Sequence, residues 1–223
     1  MSLSKYLLVA CEESQRVTTA FRTKGIEAYS CDILPTSGDH PEWHIKGDVL
    51  SIINGGRFMT MDGKFHFVDK WYGIIAFPPC TYFTNAGGQC WSEKLFSREY
   101  IEDRKRKRFE MFGLVLKIWG ANSERVAIEN PVGWLSTHWQ KPSQIIEPYY
   151  FGDNAKKRTC LWLRGLPLLK PTDMLAKPMP TYTQTGGVRD GTNRYFAECV
   201  QGSINRSKTF PGVAEAMADQ WGF

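Results

Sequence analysis

One stretch near the start limits what this chain can fold into more than any other. Residues 6–10 form a short apolar run, and Cys11 to Gln15 is a polar turn. Residues 16–24 carry a helical pattern that Gly25 stops, and residues 26–31 form a second apolar run ending on Asp32. Strand, turn, helix and strand within about thirty residues make a βαβ unit, which implies a parallel sheet.

The alternation continues along the chain. Gly47-Asp48-Val49 marks a third edge-like region, and the polar tract 55–70 reads as a hairpin or a loop. Residues 71–77 form a buried-strand pattern that runs straight into Pro78-Pro79-Cys80. A long helical pattern spans 93–119, with Phe109, Phe112, Leu116 and Trp119 on one side. Residues 126–128 form a short strand ending at Glu129-Asn130-Pro131, residues 158–163 another strand, and residues 213–221 a final helix. The expected fold class is α/β, a doubly wound, mainly parallel, Rossmann-like sheet. Three regions are expected along it: a core over 1–164, a loop-like lobe rich in Pro, Gly and Thr over 165–200, and a terminal segment over 201–223 whose helix returns to the core.

Composition excludes little but points in one direction. No run of eighteen apolar residues and no signal-peptide pattern occurs, so a cytoplasmic protein without a membrane partner is expected. The net charge of +5 permits a polyanionic partner without requiring one. The six cysteines form no CxxC pair, and no His sits at ligand spacing from any of them. Neither a disulfide framework nor a metal site is expected, which leaves thiols free for chemistry.

In open α/β sheets ligands bind beyond the carboxyl ends of the strands, and the polar punctuation falls there. Asp32 suits the two hydroxyls of a ribose, although a turn residue or helix cap before Pro35 fits the spacing as well. Asp48 suits an adenine amino group or a plain turn. The turn from Cys11 to Gln15 has no glycine, so a phosphate would find few open backbone amides, which argues against a dinucleotide. Cys80 follows two prolines that hold an extended approach and precedes a glycine-containing loop, an arrangement that presents a thiol. A lone cysteine is more often packed and inert. Glu129 ends an apolar strand, where desolvation would let it hold a proton, or where it would pair with Lys or Arg.

These residues resemble the DNA cytosine-5 methyltransferases. Pro79-Cys80 followed by Phe83-Thr84-Asn85-Ala86-Gly87 looks like that family's nucleophile loop, and Glu129-Asn130 looks like its Glu-Asn-Val element with Pro131 in place of Val. Tyr150-Phe151-Gly152 and then Lys157-Arg158 resemble its later basic element, and Asp32 and Asp48 fall where its cofactor-binding acids fall. The wording is similar to the small versions found in phages and prophages. The resemblance implies S-adenosylmethionine as cofactor, which has no phosphate to cradle. It implies Cys80, Glu129 and Arg158 as catalytic residues, with Glu12, Ser14, Asp32, Asp48, Phe77 and Pro79 around the cofactor. Asn130, Thr84 and Lys157 would meet the substrate, which is DNA, duplex or single-stranded.

Three features depart from the family. The Phe-x-Gly-x-Gly cofactor loop is absent, the target-recognition region has shrunk to about residues 165–200, and the terminal Asn-Ser element is only echoed by Asn205-Arg206-Ser207. A homodimer or a partner subunit would then supply target recognition. Arg189 and Arg194, from their loop position, are the candidate target contacts within the chain. The run Arg104 to Arg108 reads as a solvated helix face or as contacts to a DNA backbone. Trp134, Trp139 and Trp162 suit base stacking or, more simply, the core. Methylation of a free pyrimidine nucleotide, methylation of an exocyclic amino group, and a degenerate binding or regulatory protein remain the alternative functions.

Overall fold

The structure is a computed structural model, and it describes residues 5–84, 90–177 and 208–222. Its centre is a seven-stranded sheet built from β1 (Leu7–Ala10), β2 (Ala28–Asp32), β3 (His44–Lys46), β6 (Gly73–Ala76), β7 (Arg125–Pro131), β8 (Gln144–Ile146) and β9 (Thr159–Arg164). The spatial order is β3-β2-β1-β6-β7-β9-β8. The pairs from β3 through β7 are all parallel, and β9 runs antiparallel to both β7 and β8. The strand order reverses between β1 and β6, which is where an open sheet leaves its crevice. The tract 55–70 is a hairpin, in which β4 (Gly56–Met59) pairs with β5 (Phe65–Val68) outside the main sheet.

The near-continuous apolar runs of the strands follow from burial on both faces. Leu8, Ala10, Cys31, Ile74, Val126, Ile128 and Trp162 point to one side, where they meet Val115 and Ile118 of α2 (Arg98–Trp119). Leu7, Val9, Ala28, Ile75, Ala127 and Leu161 point to the other. There they meet Val17 and Phe21 of α1 (Arg16–Thr23) and Val213, Met217 and Trp221 of α4 (Pro211–Trp221). The terminal helix therefore packs in the core, and Trp221 fixes it by donating to the Pro167 carbonyl at 2.9 Å.

Two features differ from the sequence expectation. β8 has only three residues, too few to show an alternation. In α2, Phe112 and Trp119 pack against the core, but Phe109 and Leu116 are exposed at 62% and 43%. Arg104, rather than Phe109, turns inward with Ile101, Val115 and Ile118.

The turn after β1 is held by a carboxylate. Cys11 and Gln15 both adopt left-handed backbone, φ 58° and 57°, a conformation uncommon for residues other than glycine. Gln15 stands at the N-cap of α1 without capping it; its amide instead reaches His40 O at 2.8 Å. Glu12, only 4% exposed, takes over the cap. It accepts from Val17 N at 2.6 Å, Thr18 N at 3.2 Å and Thr18 Oγ1 at 2.7 Å. Despite these donors, burial raises its pKa from 4.5 to about 7.

A pKa raised on folding contributes stability that is whole below the unfolded value and lost as pH rises through the folded one. For Glu12 that window runs from 4.5 to about 7. Urea unfolding of wild type and Glu12→Gln should therefore diverge across it, with wild type losing on the order of 3 kcal/mol relative to the variant. Parallel pH profiles would remove Glu12 from the account.

Candidate active site

Three strand ends converge on one rim. Cys11 follows β1, Asp32 ends β2 and Asp48 follows β3. The carboxylates of Asp32 and Asp48 act on the Cys11 thiol, which they and burial, the larger cause, push up to about 12. Asp32 Oδ1 accepts from Leu34 N at 2.9 Å, and Asp48 Oδ1 accepts from Leu50 N at 2.9 Å. Both aspartates thus organise turns at the rim. Ile33 and Leu34 lie beside them, exposed at 73% and 55%. Ser14 is half-buried in the first turn. The α1 amides that an anion would need are already taken by Glu12, so this helix end is closed to a phosphate.

The chain leaving β6 is stitched to the end of β7. Phe77 continues the sheet edge, its N–H donating to Ala10 O at 2.9 Å. Pro78 and Pro79 have no N–H, so the segment cannot pair as a strand. Asn130, 1% exposed, reaches across instead and donates from Nδ2 to the Pro78 carbonyl at 2.9 Å. Beyond Cys80 the chain folds tightly, with Phe83 N and Thr84 N both donating to Cys80 O at 2.9 and 3.0 Å. Trp134 N then donates to Phe83 O at 2.7 Å, and Thr84 bridges to Gly133. Gly133 is required for this approach, since a Cβ there would sit 2.1 Å from Phe83 O.

That stitching brings Cys80, Glu129 and Lys157 into one electrostatic neighbourhood. Burial, then the Glu129 charge, raises the Cys80 thiol, while Lys157 lowers it. Burial raises Glu129 above the usual carboxylate range, with Lys157 and Thr159 pulling the other way. Glu129 opens onto a small pocket lined by Ile146, Pro148, Lys157, Phe210 and Val213. A thiol that must ionise beside a carboxyl that resists ionising is a pair suited to nucleophilic attack with proton holding.

The remaining sequence candidates fall at varied distances from this centre. Lys157 joins Glu129, whereas Arg158 is exposed and its charge acts on Cys160 and Glu147. Alternation along the chain entering β9 separates the two, a signal usable only once β9 is known to pair with β7. Pro79 is exposed at the rim. Trp162 is fully buried and donates to Gln140 O at 3.0 Å, and Trp139 packs against it. Trp134 is half-buried between Phe83 and His138. Arg189, Arg194, the loop residues Asn85 to Gly87 and Asn205 to Ser207 lie outside the described residues.

The basic run on α2 splits by face. Lys105, Arg106 and Lys107 turn outward and pair with Glu102, Asp103 and Glu110, so they offer no bare cationic track. Arg104 and Arg108 turn inward to the Cys80 loop.

Among the described residues, no group of His, Cys, Asp and Glu could hold a metal ion, and no helix is long and apolar enough to cross a membrane. No family model matches the chain, and no curated protein matches it.

The charges around Cys80 make its alkylation a direct readout. Glu129→Gln removes a negative neighbour, so the pH profile of iodoacetamide labelling at Cys80, followed by peptide mass spectrometry, should move to lower pH. Lys157→Met should move it to higher pH. A profile unmoved by either variant would mean that the three groups do not share a site.

Proposed function

We propose that this chain is an S-adenosylmethionine-dependent transferase that methylates C5 of cytosine in DNA through a covalent Cys80 adduct. One observation carries the reading: the buried Asn130 amide ties the Pro78-Pro79-Cys80 segment to β7, and so sets a thiol near a half-buried carboxyl and a lysine. The resemblance of the same residues to the DNA cytosine-5 methyltransferases points the same way.

The rim residues fit the cofactor. Asp32 and Asp48 offer acceptors for hydroxyl and amino donors, and the exposed Ile33 and Leu34 offer apolar surface beside them. Glu12 closes the helix amides that a phosphate would require, and S-adenosylmethionine has no phosphate. When bound, it supplies an electrophilic methyl group.

The protein's own part is nucleophile and proton control. Cys80 gives up its proton to water and its sulfur adds to C6 of the ring, which pushes electron density onto C5. Glu129, whose hold on a proton burial strengthens, binds the base in its protonated form and gives that proton to N3 as negative charge builds there. Once C5 has gained the methyl carbon, its hydrogen leaves as a proton. That electron pair restores the C5–C6 double bond, expels the Cys80 sulfur, and returns the N3 proton to Glu129. Lys157 favours the thiolate at the start and at the end of this cycle. In duplex DNA the base must first leave the stack.

A fluorine at C5 cannot leave as a proton, so the adduct should persist. Incubation with S-adenosylmethionine and 5-fluorocytosine oligonucleotides, single- and double-stranded, should give a denaturant-resistant complex at Cys80. Cys80→Ser should abolish it, and Glu129→Gln should slow it. Undiminished methyl transfer to cytosine by Cys80→Ser would overturn the covalent route.

A further inference from the structure

Helix α2 sorts its charges unevenly. On the outward face Lys105 meets Glu102 at 2.8 Å, Lys107 meets Asp103 at 2.6 Å and Arg106 meets Glu110 at 2.8 Å. Arg104 and Arg108 stand one turn apart on the inward face, and among the described residues neither pairs with a carboxylate. Their contacts are neutral. Arg104 Nη2 donates to Thr81 O at 3.2 Å, and Arg108 Nε donates to Tyr82 O at 2.8 Å. Both guanidinium groups lie over the Trp91 ring, at 4.8 and 3.6 Å from its centre. Arg104 is 8% exposed, and its Nε is buried without a partner.

Two like charges held against one ring, partly desolvated and without a counter-charge, are costly in a folded protein. The cost is visible in Arg108, whose proton affinity is lowered by burial and by Arg104. On the same helix Lys105, Arg106 and Lys107 have acids one turn away, and none lies on this face. A site of that kind is complete only when an anion arrives, and a guanidinium fork is matched to phosphate oxygens.

We propose that Arg104 and Arg108 form a phosphate-binding site beside the loop that follows Cys80. Arg108, half-exposed, meets the anion, while Arg104 behind it adds charge and holds the loop through Thr81. The proposal rests on the cytosine reading only for the origin of the phosphate, which is either a strand phosphate of the nucleic acid or the phosphate of a free cytidine nucleotide.

The test measures binding alone, so it is separable from any failure of methyl transfer. Fluorescence anisotropy of a labelled single-stranded, cytosine-containing oligonucleotide is followed across a salt series, and calorimetry compares dCMP with deoxycytidine. If the phosphate belongs to a strand, Arg108→Gln should bind the oligonucleotide about tenfold more weakly, with its log–log salt slope smaller by about 0.7. If it belongs to a free nucleotide, wild type should prefer dCMP over deoxycytidine and Arg108→Gln should lose that preference. In either arm Arg108→Lys should retain part of the effect, because the charge remains while the guanidinium fork is lost. Should Arg108→Gln melt early, Arg108→Met, which keeps apolar packing on Trp91, must show the same loss. The proposal fails if the neutral variant matches wild type in both arms. It fails equally if Arg108→Lys loses as much as Arg108→Gln, since the pair would then only brace the loop.

Discussion

The hydrogen bond from Asn130 to the Pro78 carbonyl holds together two pieces of chain that the sheet alone would leave apart. Two consecutive prolines deprive the segment after β6 of the donors that sheet pairing needs. The carbonyl between them still wants a partner in a buried place, and Asn130, 1% exposed, provides it. A bond of this kind contributes about 1 kcal/mol net, but leaving its groups unpaired would cost about 1–3 kcal/mol. The close approach of Gly133 to Phe83 and the Trp134 to Phe83 bond extend the same seam. These contacts join the Pro-Pro-Cys segment to the end of β7, and the mutual influence of Cys80, Glu129 and Lys157 follows from that.

Buried charge is handled in three different ways around this sheet. Glu12 is surrounded by donors of α1, and its carboxyl is a structural cap. Glu129 lies beside Lys157 and opens onto a pocket. Among the described residues, Arg104 and Arg108 meet backbone carbonyls and the rings of Tyr82, Trp91 and Trp134. The thiols sort similarly. Cys11 is pushed up to about 12 among Asp32 and Asp48, and Cys31 and Cys160 are buried within the sheet. Cys80 stands on a strand exit with Lys157 acting on it.

Much of this arrangement is legible in the sequence because it depends on local rules. The βαβ unit, the stop at Gly25, the exit at Pro78-Pro79-Cys80 and the carboxylates at strand ends all follow from short apolar runs and their punctuation. Gly25 does adopt φ 78°, as a helix stop requires. What escapes is whatever depends on distant partners. β8 exists only because β9 offers it an edge. The inward face of α2 is chosen by the carbonyls of Thr81 and Tyr82 rather than by apolar periodicity, which would have favoured Phe109. Lys157 acts on Cys80 and Glu129, while its neighbour Arg158 acts on Cys160 and Glu147. Glu12 is drawn inward because the left-handed Gln15 leaves α1 without a side-chain cap.

The central claim is that the seam places Cys80 to add to C6 of cytosine, and that step has a signature needing no methyl donor. Reversible addition and protonation at C5 would exchange the C5 hydrogen with solvent, so the enzyme incubated with cytosine-containing DNA in deuterated water should introduce deuterium at C5. Mass spectrometry of the recovered nucleosides should find the label with wild type and none with Cys80→Ala. Equal incorporation by both proteins would contradict the account, because the exchange would then owe nothing to the thiol that the seam holds in place.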